Sequence, residues 1–254
     1  MRSRKLALAL ASALATMALG LGAQAANAVF PNFSGCRATN YVTEACVNIQ
    51  NRSGNLNIKG FNVPLGESLE IRGTLREEAG GRLLFVPPTG TTGFFARTVP
   101  VPGGIFGIEW LPGNTVLAIT ELAGTPSQIR LDTTDLSVRI PVKVRLVNVL
   151  LGMNCHIGTN SNPVNLHLIV GTTSPPPPNR PISGRLAEPT FDERGITFLG
   201  NVNVENSFAV PGATECGLGL GLINSLVNLR LRLPSAAGNN SIEVVNDVAF
   251  RTGP

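Results

Sequence analysis

The sequence predicts a mainly β protein: an antiparallel β-sandwich or barrel-like domain, disulfide-stapled, with at most one or two short helices. Three observations carry this expectation. Several segments alternate apolar and polar residues with period two, and Gly- and Pro-rich turn signals separate them. Four cysteines follow an export-type leader.

The leader is MRSRKLALALASALATMALGLGAQAANA, residues 1–28. Arg2, Arg4 and Lys5 form a basic start, an apolar run extends from Leu6 to about Leu21, and two A-x-A sites predict cleavage after Ala25 or Ala28. The run is short for a membrane span, which needs about 20 residues, so no transmembrane helix is expected after cleavage. Of 20 Lys+Arg, three lie in the leader, so 17 face 16 Asp+Glu in the mature chain, near +1. That balance lacks the clustered basic surface nucleic acid requires, and no nucleic-acid partner is expected. Residues 29–254 are expected to form a single β-rich domain, large enough to bury a substantial core.

Along the chain, NLNIKGFNV starts in phase at Leu56 and Ile58 and shifts at Gly60 to Phe61 and Val63, which predicts a bulge. SLEIRGTL and TVLAITEL follow as strands. Phe94-Phe95, after a Gly-rich turn, places one ring in the core and leaves the other as a candidate ligand or lipid contact. The clearest strand is DLSVRIPVKVRLV, 135–147. Leu136, Val138, Ile140, Val142, Val144 and Leu146 form a dry face, opposed by Ser137, Arg139, Pro141, Lys143 and Arg145. Pro141 cannot donate to a ladder, which predicts a sheet edge or bulge there. Arg139, Lys143 and Arg145 form a basic stripe, a candidate surface contact for an anionic polymer or headgroup.

VNLHLIV is a further strand, and TTSPPPPNRPISG (172–184) predicts a stiff, exposed connection. GITFLGNVNVEN predicts a strand with Ile196, Phe198, Val202 and Val204 on one face. LGLINSLVNLRLRLP predicts a helix of about ten residues on the spacing of Leu222, Leu226, Leu229 and Leu233, ending at Pro234. SIEVVNDVAF completes a set of at least eight short strands.

In an exported chain four cysteines predict two disulfides, with three possible connectivities. Cys36 and Cys46 enclose a short polar loop and form the natural local pair, which leaves Cys155 with Cys216. The competing reading makes Cys155, His156 and His167 a metal or nucleophile site. Adjacent strand residues point to opposite faces, so His156 is badly placed to serve Cys155. Two histidines do not supply the three or four ligands of a zinc site. The expectation is a staple with structural or surface histidines, no metal and no cofactor.

No G-x-S-x-G, H-E-x-x-H, Walker, dinucleotide or EF-hand pattern occurs. Acidic residues such as Asp192 and Glu205 are scattered, and flat aromatic platforms for carbohydrate are limited to Trp110 and Tyr41.

The segments CHIGTNSNPVNLHLIVGTTSPPPPNRPISG, NSFAVPGATECGLGLGLINSLVNLRLRLPSAAGNN and NIKGFNVPLGESLEIRG resemble uncharacterised secreted β-rich proteins of actinobacteria. The resemblance implies an exported actinobacterial origin and a shared scaffold, and it brings no catalytic residue. Where such relatives carry an aromatic after the cysteine, this chain has His156.

The expected role is therefore a non-catalytic structural or binding protein, extracellular or held at the cell envelope. A carrier of an apolar small molecule or lipid is the second reading. A β-barrel pore and a cofactor-free hydrolase come after it.

Overall fold

The computed structural model describes residues 30–38, 43–79, 82–108, 110–132, 136–217 and 222–252. The leader and its cleavage sites, Tyr41, and Asp135 lie outside the described residues. The strands in chain order are β1 Glu44–Ile58, β2 Phe61–Pro64, β3 Leu69–Glu78, β4 Arg82–Val86 and β5 Phe94–Ala96. Next come β6 Val99–Val101, β7 Val116–Leu122, β8 Arg130–Leu131, β9 Val138–Val147 and β10 His156–Ile157. The set ends with β11 Val164–Leu168, β12 Pro189–Asp192, β13 Gly195–Glu205, β14 Ala213–Thr214, helix α1 Leu222–Leu231 and β15 Asn240–Arg251.

These strands form two antiparallel sheets. One runs β12-β13-β15-β1-β3-β4, with β2 beside β1 and β5 beside β3. The other runs β14-β10-β9-β7-β6, with β8 and β11 beside β9. The sheets do not close into a barrel. Both disulfides are formed, Cys36 with Cys46 and Cys155 with Cys216.

The dry face expected of β9 is present, with Val138, Ile140, Val142 and Leu146 buried. Ser137, expected on its wet side, is buried just before the strand. Pro141 is not at an edge: β9 is the central strand of its sheet, paired with β7 and β8 on one side and β10 and β11 on the other. In an antiparallel pair one residue's N–H and C=O point the same way. The Pro141 carbonyl accepts from Ala123 N at 2.9 Å, one residue beyond the end of β7. The missing N–H thus faces the place where the neighbouring strand has stopped, and only one ladder bond is lost.

Two other expectations are corrected and a third is adjusted. The phase change at Gly60 is a hairpin rather than a bulge: Lys59 and Gly60 have φ of 48° and 83°, and Ile58 pairs with Phe61. A two-residue turn with both φ positive matches the twist of its strands and returns the same face to the core. In β13 the ladder slips between Phe198 and Asn201, at Leu199-Gly200. The extra residue reverses the alternation, so Phe198, Asn201 and Asn203 share the inner face while Val202 and Val204 turn away from it. The expected helix of about ten residues is present as α1, and Leu226 and Leu233 of its predicted stripe pack inward; the difference is that Leu222 and Leu229 face out, while Val227 and Leu231 are buried with Ile223 beside them. Both stripes are apolar, so periodicity alone could not choose between them.

The first half of β1 is buried on both faces. Segment 31–38 covers its outer side, where Asn48 accepts from Asn32 N at 3.2 Å and donates to Glu70 Oε1 at 2.8 Å. The Cys36–Cys46 bridge holds that cover down. The 172–184 connection is mostly exposed and tied at its base, where Thr173 N donates to Ile182 O at 2.9 Å.

Candidate functional site

Between the sheets lies a cavity of about 170 Å³. Sheet one supplies Ile49, Leu56 and Val244, sheet two supplies Ile140, Val142 and Leu166, and Phe61 and Leu231 close the end nearest α1. Val138 and Leu146, near opposite ends of β9, both line it. At about 3.4 Å per residue these two lie roughly 27 Å apart along the strand, so the lining is elongated like a slot. The wall is nearly all apolar because both inner faces follow the period-two pattern. Its polar members are Asn51, Ser68, Thr120 and Asn246, and no Asp, Glu, Lys, Arg or His lines it among the described residues.

The sequence-predicted residues fall elsewhere. Phe94 is in the core, and Phe95 lies outside it with the Arg72 guanidinium 4.2 Å from its ring centre. Arg139 is exposed. Lys143 and Arg145 are drawn into a cluster with Glu121 and His156 on the outer face of sheet two. Arg145 Nε donates to Glu121 Oε1 at 2.6 Å, while Lys143 Nζ and His156 Nε2 lie 3.7 and 3.4 Å from Oε2. Burial pushes the Glu121 carboxyl up, but the Arg145 hydrogen bond and the charges of Arg145, His156 and Lys143 outweigh it and hold the group below its ordinary range. One of the stripe's three positive charges is thus balanced within the protein, by Glu121. His156 Nδ1 lies 2.7 Å from Asn154 O, and a carbonyl only accepts, so Nδ1 carries the proton.

Cys155 is buried in its disulfide, and His156 pairs with Arg145 and Thr214 in the sheet. His167 sits opposite Arg139, half-buried. Asp192 is exposed before the start of β13, while Glu205 at its far end is buried and accepts from Ser207 N at 2.5 Å and His167 N at 3.2 Å. The two carboxylates are separated by the length of a strand. Glu205 caps backbone donors. No group of three His, Cys, Asp or Glu side chains with metal-site geometry occurs among the described residues.

A second feature escaped sequence reasoning. Three segments meet at one end of the sandwich: the loop between β6 and β7, the loop between β9 and β10, and α1. Asn148 Nδ2 donates to Gly113 O and Thr115 O at 2.9 and 2.8 Å, Arg230 to Pro102 O at 2.8 Å, and Gly217 N to Leu151 O at 2.7 Å. From this end project Phe106, Ile108, Trp110, Val149, Leu150 and Met153, with Trp110 82%, Val149 97% and Met153 89% exposed. Leu222 and Leu229 of α1 are exposed as well. The signal available was VNVLLGMN (147–154), an apolar run with no charge.

Fold and cavity together define a disulfide-stapled antiparallel β-sandwich with an apolar space between its sheets. Comparison with protein-family models, curated proteins and solved structures finds no match to this chain.

Proposed function

We propose that this chain is an exported, non-catalytic binding protein that carries an apolar small molecule or lipid chain between its sheets. The sequence leads with a structural or binding role, and the cavity brings the carrier reading forward. An empty core void is costly: at about 24 cal/mol per Å³, 170 Å³ amounts to about 4 kcal/mol. An occupant offsets that cost. An apolar cavity of about 150 Å³ stays dry and admits a benzene-sized molecule, so the space here suits a ring or a short alkyl chain. Export is supported by the leader and by two disulfides, which belong to oxidising compartments. The resemblance to secreted actinobacterial proteins agrees with it.

The test is a titration with a fluorescent medium-chain probe, on the wild type and on Val142→Phe/Val244→Phe, which fills the slot from both sheets. The wild type is expected to bind at one saturable site, the variant at least tenfold more weakly. Because the new rings enter existing space, the variant's melting temperature should be unchanged or higher. Unsaturable binding, or equal affinity in the two proteins, overturns the proposal.

A second reading, attachment to the cell envelope, is favoured by the apolar end. Large exposed apolar patches mark interaction sites. Projecting Trp, Leu, Val and Met side chains on a braced end suit insertion into a lipid surface. Trp110 is the only tryptophan, so intrinsic fluorescence reports on that tip alone. Vesicles of phosphatidylcholine and phosphatidylglycerol are expected to shift its emission to the blue and shield it from iodide. Val149→Asp/Met153→Asp should weaken partitioning at least tenfold, since each buried side chain contributes about 1.5–3 kcal/mol. Undiminished quenching in the presence of vesicles would rule this reading out.

A further inference from the structure

We infer that the ligand bears one uncharged hydrogen-bonding group, such as an alcohol, ester or amide, which docks against Asn246, Ser68 and Thr120. Its hydrocarbon part lies along the slot toward Phe61 and Leu231. This inference rests on the carrier reading and specifies its ligand.

Of the polar members of the wall, Asn51 and Asn246 are buried, and Ser68 and Thr120 are half-buried. Asn51 and Asn246 are cross-strand partners on β1 and β15, 3% and 6% exposed, and Ser68 Oγ donates to Asn51 Oδ1 at 3.1 Å. Asn51 is saturated: its Nδ2 donates to Ser53 O and Val245 O, and its Oδ1 accepts from Ser68 N and Oγ. Asn246 is not. Its Nδ2 donates to Asn203 Oδ1 at 3.0 Å, and no donor among the described residues reaches its Oδ1. Asn203 in turn donates to Leu136 O at 3.1 Å, so the Asn246 amide is oriented from behind. From the other sheet Thr120 brings a hydroxyl with no partner among the described residues, and Ser68 Oγ keeps acceptor capacity. The slot thus presents an oriented acceptor and two hydroxyls in an otherwise apolar wall.

Two physical arguments select the class of group. A pure hydrocarbon placed against these atoms leaves buried polar groups unsatisfied. An ionised head meets no countercharge, because no Lys, Arg or His lines the slot, so its desolvation goes uncompensated. A neutral hydroxyl donates to Asn246 and accepts from Thr120, avoiding both penalties.

The test uses three ligands of one chain length, 1-octanol, octane and octanoate at pH 8, each displacing the fluorescent probe from the purified protein. Octanol is expected to bind at least tenfold more tightly than octanoate and about fivefold more tightly than octane. Asn246→Leu should bring the octanol-to-octane ratio close to one while octane still binds. Asn246→Leu also strands Asn203, so Thr120→Val, nearly isosteric, provides a second variant and should reduce the same ratio at least twofold. Equal binding of octanol and octane by the wild type, or tightest binding of octanoate, overturns the polar-group inference and leaves the carrier standing. Failure of all three ligands to displace the probe overturns both.

Discussion

Replacing Cys155 and Cys216 together by alanine is expected to lower stability by about 4 kcal/mol. The bridge closes a loop of 61 residues. In the loop-entropy account, constraining so long a loop in the unfolded chain contributes about 4 kcal/mol, against about 2.7 for the 10-residue separation of Cys36 and Cys46. The longer loop contains β11, β12, β13 and the Pro-rich connection, so the bridge ties strands of both sheets into one cooperative unit. Cys216 also sits at the root of the apolar end, where its N–H donates to Asn224 of α1 at 2.8 Å. Urea unfolding of Cys155→Ala/Cys216→Ala and of Cys36→Ala/Cys46→Ala measures both losses. For a domain of this size the first should lower the melting temperature by about 8–16 °C. A larger loss from the short loop would show that local packing of segment 31–38 on β1, rather than chain entropy, dominates.

What the sequence reveals here follows from the range of the interaction that decides each feature. The alternation through Val138, Ile140, Val142 and Leu146 is local, and it appears in β9 as read. The cysteine pairing is nearly local, because spacing leaves one natural partner. The 199–200 bulge was not legible, since Leu199-Gly200 is compatible with a regular strand and only pairing with β15 shows the extra residue. For the same reason Asn201 and Asn203 read as wet-face residues, although they are among the most buried side chains. The start of β1 was not legible either: the segment enclosed by Cys36 and Cys46 reads as a polar loop, yet residues 44–46 already belong to the strand, whose second cover comes from segment 31–38. Both elements of the candidate site depend on distant parts of the chain. The slot is set by the spacing of two sheets, and the apolar end by three segments brought together by hydrogen bonds between residues as far apart as Pro102 and Arg230. The basic stripe was visible, but the Glu121 carboxylate that pairs with Lys143 and Arg145 is placed there by the β7–β9 register.

Asn114→Ala is expected to cost about 3 kcal/mol and to disable the apolar end, although residue 114 itself is only 1% exposed. Its side chain organises the loop that carries Trp110. Oδ1 accepts from Phe106 N at 2.8 Å, and Nδ2 donates to Gly103 O and Ile108 O at 2.8 and 2.5 Å. Its backbone carbonyl accepts from Ile105 N at 3.1 Å, and Gly104, at φ 57°, lies so close that a Cβ there would collide with that oxygen. Removing the side chain strands one donor and two acceptors; a buried group left unsatisfied costs about 1–3 kcal/mol, and water entering the opened loop recovers part of the total. Asn114→Asp separates the two functions of the amide. It keeps an acceptor for Phe106 N–H but sets a carboxylate against two carbonyl oxygens, so it should destabilise at least as much as alanine. Urea unfolding gives the stability loss, and Trp110 emission with and without vesicles gives the consequence at the tip. If both variants lose stability while vesicles still shift Trp110 as in the wild type, lipid affinity resides in the side chains alone and the braced loop is dispensable. Loss of both together would mean that the amide holds the projecting residues in the arrangement a lipid surface meets, so that a residue with no surface of its own sets the affinity of those that have it.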